Sequence, residues 1–413
     1  MTEVKQSKPG STFSSADAVS DFLGRVQRIE PVLHGFRQIE PERLFAEAAI
    51  LDAEPEEAHG PLHGQLIAVK EVFDVKGYTC GWGTPIHDGR QPLEDAATVK
   101  ALRKAGAIIA GITVSSEYAM SSVGPTVNPF DSNRTPGASS QGSAAVVGAG
   151  LVDMALGSQT IGSVIRPASY CGCIGFKPSW GSIDAQGTMP LSADLDHVGF
   201  MASTLDQAET LLKVLAPSLP EAGTSMPSQI LNLETWYKDE VHPEMKKVVA
   251  QSLETLRAAG VEVRSIRLPD WIAGAEEGVL DTILAHDMAY NHGADFNAHS
   301  DKMSDRIRDY ITRGQNITEQ AYKAALSLRK KMIDELQILF AGRPVLSPAA
   351  IGIAPLLAEG TGSRAPQRLW TLTGFPAISV PIGRFGGMPL GVQIVGAPLH
   401  DCDIVATARM LIG

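Results

Sequence analysis

The sequence is poor in cysteine and aromatic residues and has no long apolar run. Its 413 residues include four cysteines, and 6% are aromatic. Four cysteines are too few for a disulfide framework in a chain of this length, and they lack zinc-ligand spacing. No window approaches eighteen consecutive apolar residues, and MTEVKQSKPGSTFSS lacks the apolar segment of a secretory signal. These absences predict a cytoplasmic protein with no membrane contact.

Positive charge is also in deficit. Lys and Arg total 35 against 46 Asp and Glu, a net charge of −11, and no basic block could follow a phosphate backbone. The ten histidines are scattered, without an HExxH pattern, so no metal site is expected. Because of the negative net charge and the lack of a basic block, we expect no nucleic-acid partner. The 44% hydrophobic content is sufficient for a large buried core.

The order of apolar patterns along the chain indicates an α/β protein. Residues 1–16 are polar and predicted to be unstructured, whereas 17–413 are predicted to form one domain. The apolar run over 66–75 predicts a buried strand, and AATVKALRKAGAIIAGITV predicts a helix, a glycine cap and a strand. Residues 268–340 are predicted to be mainly helical and to lie near a substrate pocket, before short strands return. The pattern predicts a single α/β/α domain whose mixed central sheet is covered by helices on both faces.

Lys70 lies within the aliphatic segment LIAVKEVF. Burial disfavours the charged form of a lysine, so its pKa would fall and its neutral amine would serve as a base. Alternatively, Lys70 reaches solvent from a strand end or pairs with Glu71 or Asp74. This segment alone leaves both interpretations open.

Two loops rich in glycine and serine precede predicted helices. TPGASSQGSAA resembles the start of a phosphate-binding loop, but Ser143 stands where such a loop needs lysine, which disfavours a nucleotide site. GSQTIGSVIRPAS offers successive backbone amides from Thr160 to Ser163, as an oxyanion hole requires. A plain turn or helix cap would also fit this second loop. Together with Lys70, the loops favour a serine nucleophile with a lysine base, since no GxSxG motif is present.

These segments together resemble the amidase signature family. The likeness rests on IAVKEVFDVKG, TPGASSQGSAA, GSQTIGSVIRPASYCGCIGFKPS, LDHVG and GFPAISVPIG, and it extends over residues 17–412. The pattern is closest to short bacterial members of the malonamidase and carboxybiuret hydrolase type. The resemblance implies an amidohydrolase that cleaves a linear carboxamide through an acyl-enzyme intermediate, without a metal or organic cofactor.

The resemblance also implies roles for individual residues. Ser163 would be the nucleophile, Ser139 a bridging serine after a cis peptide bond, and Lys70 the base. The oxyanion hole would be formed by the backbone of Thr160, Ile161, Gly162 and Ser163.

Substrate contacts are implied for Ala138 and Arg166. Arg166 would bind a carboxylate of a small amide substrate; the alternative is an internal role, for instance pairing with Asp196. The family resemblance further implies a homodimer and allows a small accessory subunit.

Two other functions stay open. The chain would be an amidase-fold component of a multi-subunit amidotransferase or hydrolase complex, or a catalytically impaired binding protein. The second follows from Ile161, which replaces a family glycine and would be strained at positive φ. Ala138 and Gln141 replace family glycines in the other loop.

Overall fold

The computed structural model describes residues 14–120, 122–221 and 227–412. The strands formed by these residues are β1 (Phe36–Gln38), β2 (Leu66–Lys70), β3 (Ile108–Thr113), β4 (Met154–Gln159), β5 (Ile174–Lys177), β6 (His197–Ala202), β7 (Gln229–Glu234), β8 (Glu262–Arg267), β9 (Val345–Pro348), β10 (Ala377–Phe385) and β11 (Met388–Val395). The α-helices are α1 (Ser15–Leu33), α2 (Pro41–Asp52), α3 (Ala97–Lys104), α4 (Gln141–Gly148), α5 (Ile165–Cys171), α6 (Leu205–Leu215), α7 (Pro243–Ala258), α8 (Asp270–His299), α9 (Asp305–Gln315), α10 (Glu319–Phe340), α11 (Ala365–Leu372) and α12 (Asp401–Ile412).

All these strands belong to one sheet, in the order β1-β3-β2-β4-β6-β5-β10-β11-β9-β7-β8. Strand β2 is parallel to both β3 and β4, and β7 is parallel to β8 and β9. The strands between these two parallel groups pair antiparallel. The sheet is therefore mixed, which confirms the predicted fold class.

Successive residues of β2 feed two different apolar clusters. Ile67 and Val69 join a cluster that includes Val99 of α3, whereas Ala68 joins one that includes Val19 of α1 and Ala144 of α4. Since side chains alternate between the two faces of a strand, the clusters lie on opposite faces of the sheet. Helices thus cover both faces.

Several predicted elements are confirmed. The segment AATVKALRKAGAIIAGITV forms α3 and β3, and Gly106 between them has φ +91 with His63 packed closely against it. The range 268–340 contains α8, α9 and α10, and the late strands β9, β10 and β11 join the main sheet.

Two boundaries differ from the prediction. The strand predicted over 66–75 ends at Lys70, although Val72 and Val75 beyond it are buried. Of the segment 1–16, which was predicted to be unstructured, residues 1–13 lie outside the described residues. Its last residues, Ser15 and Ala16, are helical because their backbone N–H groups, at the start of α1, donate to the Asp52 carboxylate. Within the described part of the chain, no helix is both long and apolar enough to cross a membrane.

Candidate active site

Lys70 lies at the end of β2, next to the parallel strand β4. Because adjacent parallel strands end at the same edge of a sheet, Lys70 is brought close to Ser158 near the end of β4. The Lys70 Nζ donates hydrogen bonds to the Oγ atoms of Ser139, at 2.8 Å, and Ser158, at 2.9 Å. The lysine therefore connects β4 with the loop that precedes α4.

The environment of Lys70 suits a base. Its side chain is wholly buried, and this burial lowers the pKa of Lys70 to about 7, against an opposing influence of Asp196 and Glu71. Asp74 pairs with Arg90 at 2.7 Å, and the Glu71 carboxylate accepts from the Ser115 backbone. The alternative of a solvent-reaching Lys70 is therefore wrong, and its hydrogen-bond partners are hydroxyl groups.

The loop before α4 places Ser139 against the lysine. Gly137 has φ +84, and a Cβ atom there would lie 2.9 Å from the Cα atom of Pro167. Only glycine fits this close approach in the left-handed region. The Ala138–Ser139 peptide bond is cis, as the family resemblance implies. Its carbonyl oxygen accepts a 2.7 Å hydrogen bond from Nη2 of Arg166.

Ser143 has a structural role in the same helix. Its hydroxyl donates to the carbonyl oxygen of Leu156 at 2.8 Å and lies 2.7 Å from the hydroxyl of Thr113. These contacts tie α4 to β4 and β3. Ser143 thus faces the sheet, which agrees with the prediction against a phosphate-binding loop.

The loop between β4 and α5 is fixed from both sides. The buried Gln159 side chain accepts from the backbone N–H groups of Val164, at 2.9 Å, and Ile165, at 3.1 Å. On α11, Thr371 donates to the Ile161 carbonyl oxygen at 2.6 Å. Such a fixed loop is what preorganised hydrogen-bond donors require.

The backbone amides of this loop are available to a ligand. In the described part of the chain, the N–H groups of Ile161, Gly162 and Ser163 donate to no acceptor. Successive unoccupied donors next to Ser163 are the groups that an oxyanion hole requires. The oxyanion-hole role of this loop stays a prediction.

Ile161 is accommodated without strain. Its φ is outside the positive range, and its side chain is 5% exposed and packs in the larger apolar cluster. The isoleucine thus replaces a glycine where the backbone does not need one. The observation that suggested an impaired protein no longer supports that alternative.

Ser163 is buried as a residue, and its hydroxyl lies close to the start of α5. Among the described residues it has no hydrogen-bond partner, so of the two links in a Lys70–Ser139–Ser163 relay only the first is formed. Catalytic hydrogen bonds without substrate are often long and tighten when substrate binds. The structure thus brings Lys70 and Ser139 together, whereas no hydrogen bond among the described residues joins Ser139 to Ser163.

Asp196 is a residue that the sequence suggested only as a partner for Arg166. Its carboxylate accepts a 2.6 Å hydrogen bond from the hydroxyl of Thr160 and two more from the backbone of Leu191 and Ser192. Burial raises the pKa of Asp196 to about 6. Asp196 therefore anchors the loop through Thr160. Its negative charge also raises the pKa of Lys70, against the effect of burial. The segment LDHVG was the available signal.

Arg166 is wholly buried on α5. Its Nη1 donates to the carbonyl oxygen of Gly362 at 3.1 Å, and its Nη2 to that of Ala138. These contacts agree with the internal role that the sequence left open. The acceptors are backbone carbonyl oxygens, not a carboxylate. The substrate-binding roles of Arg166 and Ala138 stay predictions.

Gln367 of α11 carries no signal in the sequence. Its Oε1 atom is buried without a hydrogen-bond partner in the described part of the chain, and a Cβ atom on Gly162 would lie 2.8 Å from it. Gln367 thus closes one side of the loop that contains Ser163. Among the described residues, no group of three or more His, Cys, Asp or Glu could hold a metal ion.

Comparison with known proteins identifies the family. The family model described as Amidase matches residues 17–405. A glutamyl-tRNA(Gln) amidotransferase subunit from Methanococcus maripaludis is 31% identical over 94% of this chain and 97% of that protein. A crystal structure of an amidase superposes with a TM-score of 0.88 at 28% identity, over 97% of this chain and 96% of that one. A structure from a vestigial complex related to the origins of an s-triazine catabolic enzyme has a TM-score of 0.87 at 26% identity, over 97% and 95% of the two chains. The chain belongs to the amidase family of amide-hydrolysing enzymes.

Proposed function

We propose that the protein hydrolyses a linear carboxamide through a Ser163–Ser139–Lys70 triad and an acyl-enzyme intermediate. The observation that carries this proposal is the 2.8 Å hydrogen bond from Lys70, a fully buried lysine, to Ser139. An amine held neutral beside a hydroxyl group can accept a proton through it. Without the lysine the site would hold two serines and no base.

The chemistry proceeds in two displacements. The Ser163 Oγ attacks the amide carbonyl while its proton passes through Ser139 to the neutral amine of Lys70. The oxyanion accepts hydrogen bonds from backbone N–H groups of Thr160, Ile161, Gly162 and Ser163. The proton then returns to the nitrogen as the C–N bond breaks, and ammonia or an amine leaves. Water attacks the ester by the same route and releases the carboxylic acid and the Ser163 hydroxyl.

The substrate class is a small amide that carries a carboxylate. Support comes from the likeness to malonamidase and carboxybiuret hydrolase patterns in GSQTIGSVIRPA and LWTLTGFP. The same likeness is the basis for proposing a homodimer in the cytoplasm. A small accessory subunit would be compatible with it.

A second candidate is the amidase-fold component of a larger complex. The 31% identity to an amidotransferase subunit over most of both chains favours it. In that case the ammonia released at Ser163 would serve a partner protein.

Ammonia release from a panel of amides by the purified chain tests the first proposal. Activity with the chain alone, lost in Ser163→Ala, supports a self-contained hydrolase. Activity that appears only after a partner is added, together with a larger mass under native conditions, supports the complex. A folded wild type that releases no ammonia in either setting contradicts both.

A further inference from the structure

Three arginines from separate parts of the chain converge beside the candidate site. Arg166 lies on α5, Arg306 in the first turn of α9, and Arg364 directly before α11. The hydrogen bond from Arg166 to the Gly362 carbonyl brings the segment before α11 against the Ala138–Ser139 loop.

The positive charges of these arginines act on one another. Burial lowers the pKa of Arg166 to about 10, and the charges of Arg364 and Arg306 contribute to this decrease. The pKa of Arg306 is also lowered, first by burial and then by Arg364. The chain as a whole has a net charge of −11, so this local positive charge is not a consequence of its composition.

The guanidinium groups of Arg306 and Arg364 donate no hydrogen bond to any of the described residues. The Nε of Arg306 and the Nη1 of Arg364 have no hydrogen-bond partner, and neither residue forms an ion pair within residues 14–120, 122–221 and 227–412. The acidic residue that acts on Arg306 is Asp281. Its carboxylate already accepts from the Tyr310 hydroxyl at 3.2 Å and lies 3.9 Å from Arg313.

Buried donors and like charges in close proximity are unfavourable unless an anion satisfies them. A carboxylate suits this arrangement because its two oxygens match the planar guanidinium fork. Arg166, whose pKa is lowered by the charges of Arg306 and Arg364, donates to the carbonyl oxygen of Ala138, the residue before Ser139. A bound carboxylate would therefore be held close to the reacting groups.

We propose that Arg306 and Arg364 bind the carboxylate of a small dicarboxylic acid monoamide, and that Arg166 is a positioning residue for the Ala138 and Gly362 carbonyls. This inference rests on the proposed function, and it assigns carboxylate recognition to residues that the family pattern did not indicate. Arg166 donates to both of these carbonyls, whereas the guanidinium groups of Arg306 and Arg364 have no acceptor among the described residues.

Malonate binding by calorimetry and steady-state kinetics test the proposal. We expect Arg306→Gln and Arg364→Gln each to weaken malonate binding by about tenfold or more, since each removes a charged hydrogen-bond donor. The KM for a dicarboxylic acid monoamide should rise by a similar factor. The kcat and the KM for a neutral amide of equal length should stay within about twofold, which also shows that the variants are folded.

Matched variants sharpen this test. Arg267→Gln removes the same charge from a side chain that is 73% exposed, and should leave malonate binding unchanged. Arg364→Lys should bind malonate more tightly than Arg364→Gln but less tightly than the wild type, because lysine keeps the positive charge and lacks the planar guanidinium donors. Arg166→Gln should lower kcat on acidic and neutral amides alike.

The outcomes separate this inference from the proposed function. A wild type that hydrolyses both amides but binds no malonate, or Arg306 and Arg364 variants that behave like Arg267→Gln, would overturn the inference alone. Malonate binding that depends on both arginines in a protein without amidase activity would support the anion site and contradict the proposed hydrolysis.

Discussion

The Nζ atom of Lys70 donates a hydrogen bond to Ser139 across 69 residues of sequence, and both side chains have no exposed surface. The contact joins the end of β2 to the loop before α4. Its second partner, Ser158, lies on the neighbouring strand β4. The lysine is thus held between two hydroxyls in a place where its neutral form is favoured.

Activity should depend on pH through Lys70. Its pKa is lowered to about 7, and only the neutral amine accepts a proton, so kcat/KM should rise about tenfold per pH unit below 7 and level off above it. A pH profile with a neutral amide substrate measures this. A flat profile between about pH 5.5 and 8 would contradict the role of Lys70 as base.

Asp196 should move the midpoint of this profile. Its negative charge raises the pKa of Lys70, so Asp196→Asn should shift the midpoint to lower pH. Thr160→Ser is the control, because it alters the partner of Asp196 while keeping the hydroxyl that donates to Asp196 and therefore the charge of the carboxylate. It should leave the midpoint in place; equal shifts in both variants would rule out the electrostatic explanation.

Ser139 and Ser158 should respond differently to substitution although both accept from Lys70. Ser139→Ala breaks the proposed proton route and should reduce kcat by about 10²–10⁴-fold. Ser158→Ala leaves that route in place, and we expect a loss of less than about tenfold. Single-turnover rates of acylation provide the measurement. Equal losses in the two variants would mean that both hydroxyls only hold Lys70 in position and that the proton does not pass through Ser139.

Gly162 should tolerate no side chain. A Cβ atom there would lie 2.8 Å from the Oε1 of Gln367, so Gly162→Ala should displace the loop and lower kcat by about 10- to 100-fold. The double variant Gly162→Ala with Gln367→Ala should recover part of this loss. No recovery would show that the steric explanation is wrong.

Ile161→Gly should destabilise the protein without improving catalysis. The side chain is buried and its φ is not positive, so the substitution removes apolar contacts and relieves no strain. We expect a decrease of about 2–5 kcal/mol in the free energy of unfolding, measured by urea denaturation. A faster acylation rate in this variant would restore the idea that Ile161 impairs the site.

Local patterns in the sequence predicted the fold class and the α3–β3 unit, because each depends on residues close together in the chain, whereas the segment around Lys70 left its burial open. The end of β2 at Lys70 was not predicted, since Val72 and Val75 continue the apolar pattern outside the sheet. Contacts such as Thr160 with Asp196 join segments far apart in sequence. No local pattern encodes those distances, which is why the contact of Asp196 with Thr160, and the positions of Gln367, Arg306 and Arg364, emerged only from the structure.

The most direct test of the account is covalent labelling of the folded protein with a fluorophosphonate, followed by location of the adduct by peptide mass. We expect one adduct, on Ser163, that is lost in Lys70→Ala and Ser139→Ala variants of unchanged fold. A folded wild type that stays unlabelled, or one labelled equally well without Lys70, would contradict the proposed triad.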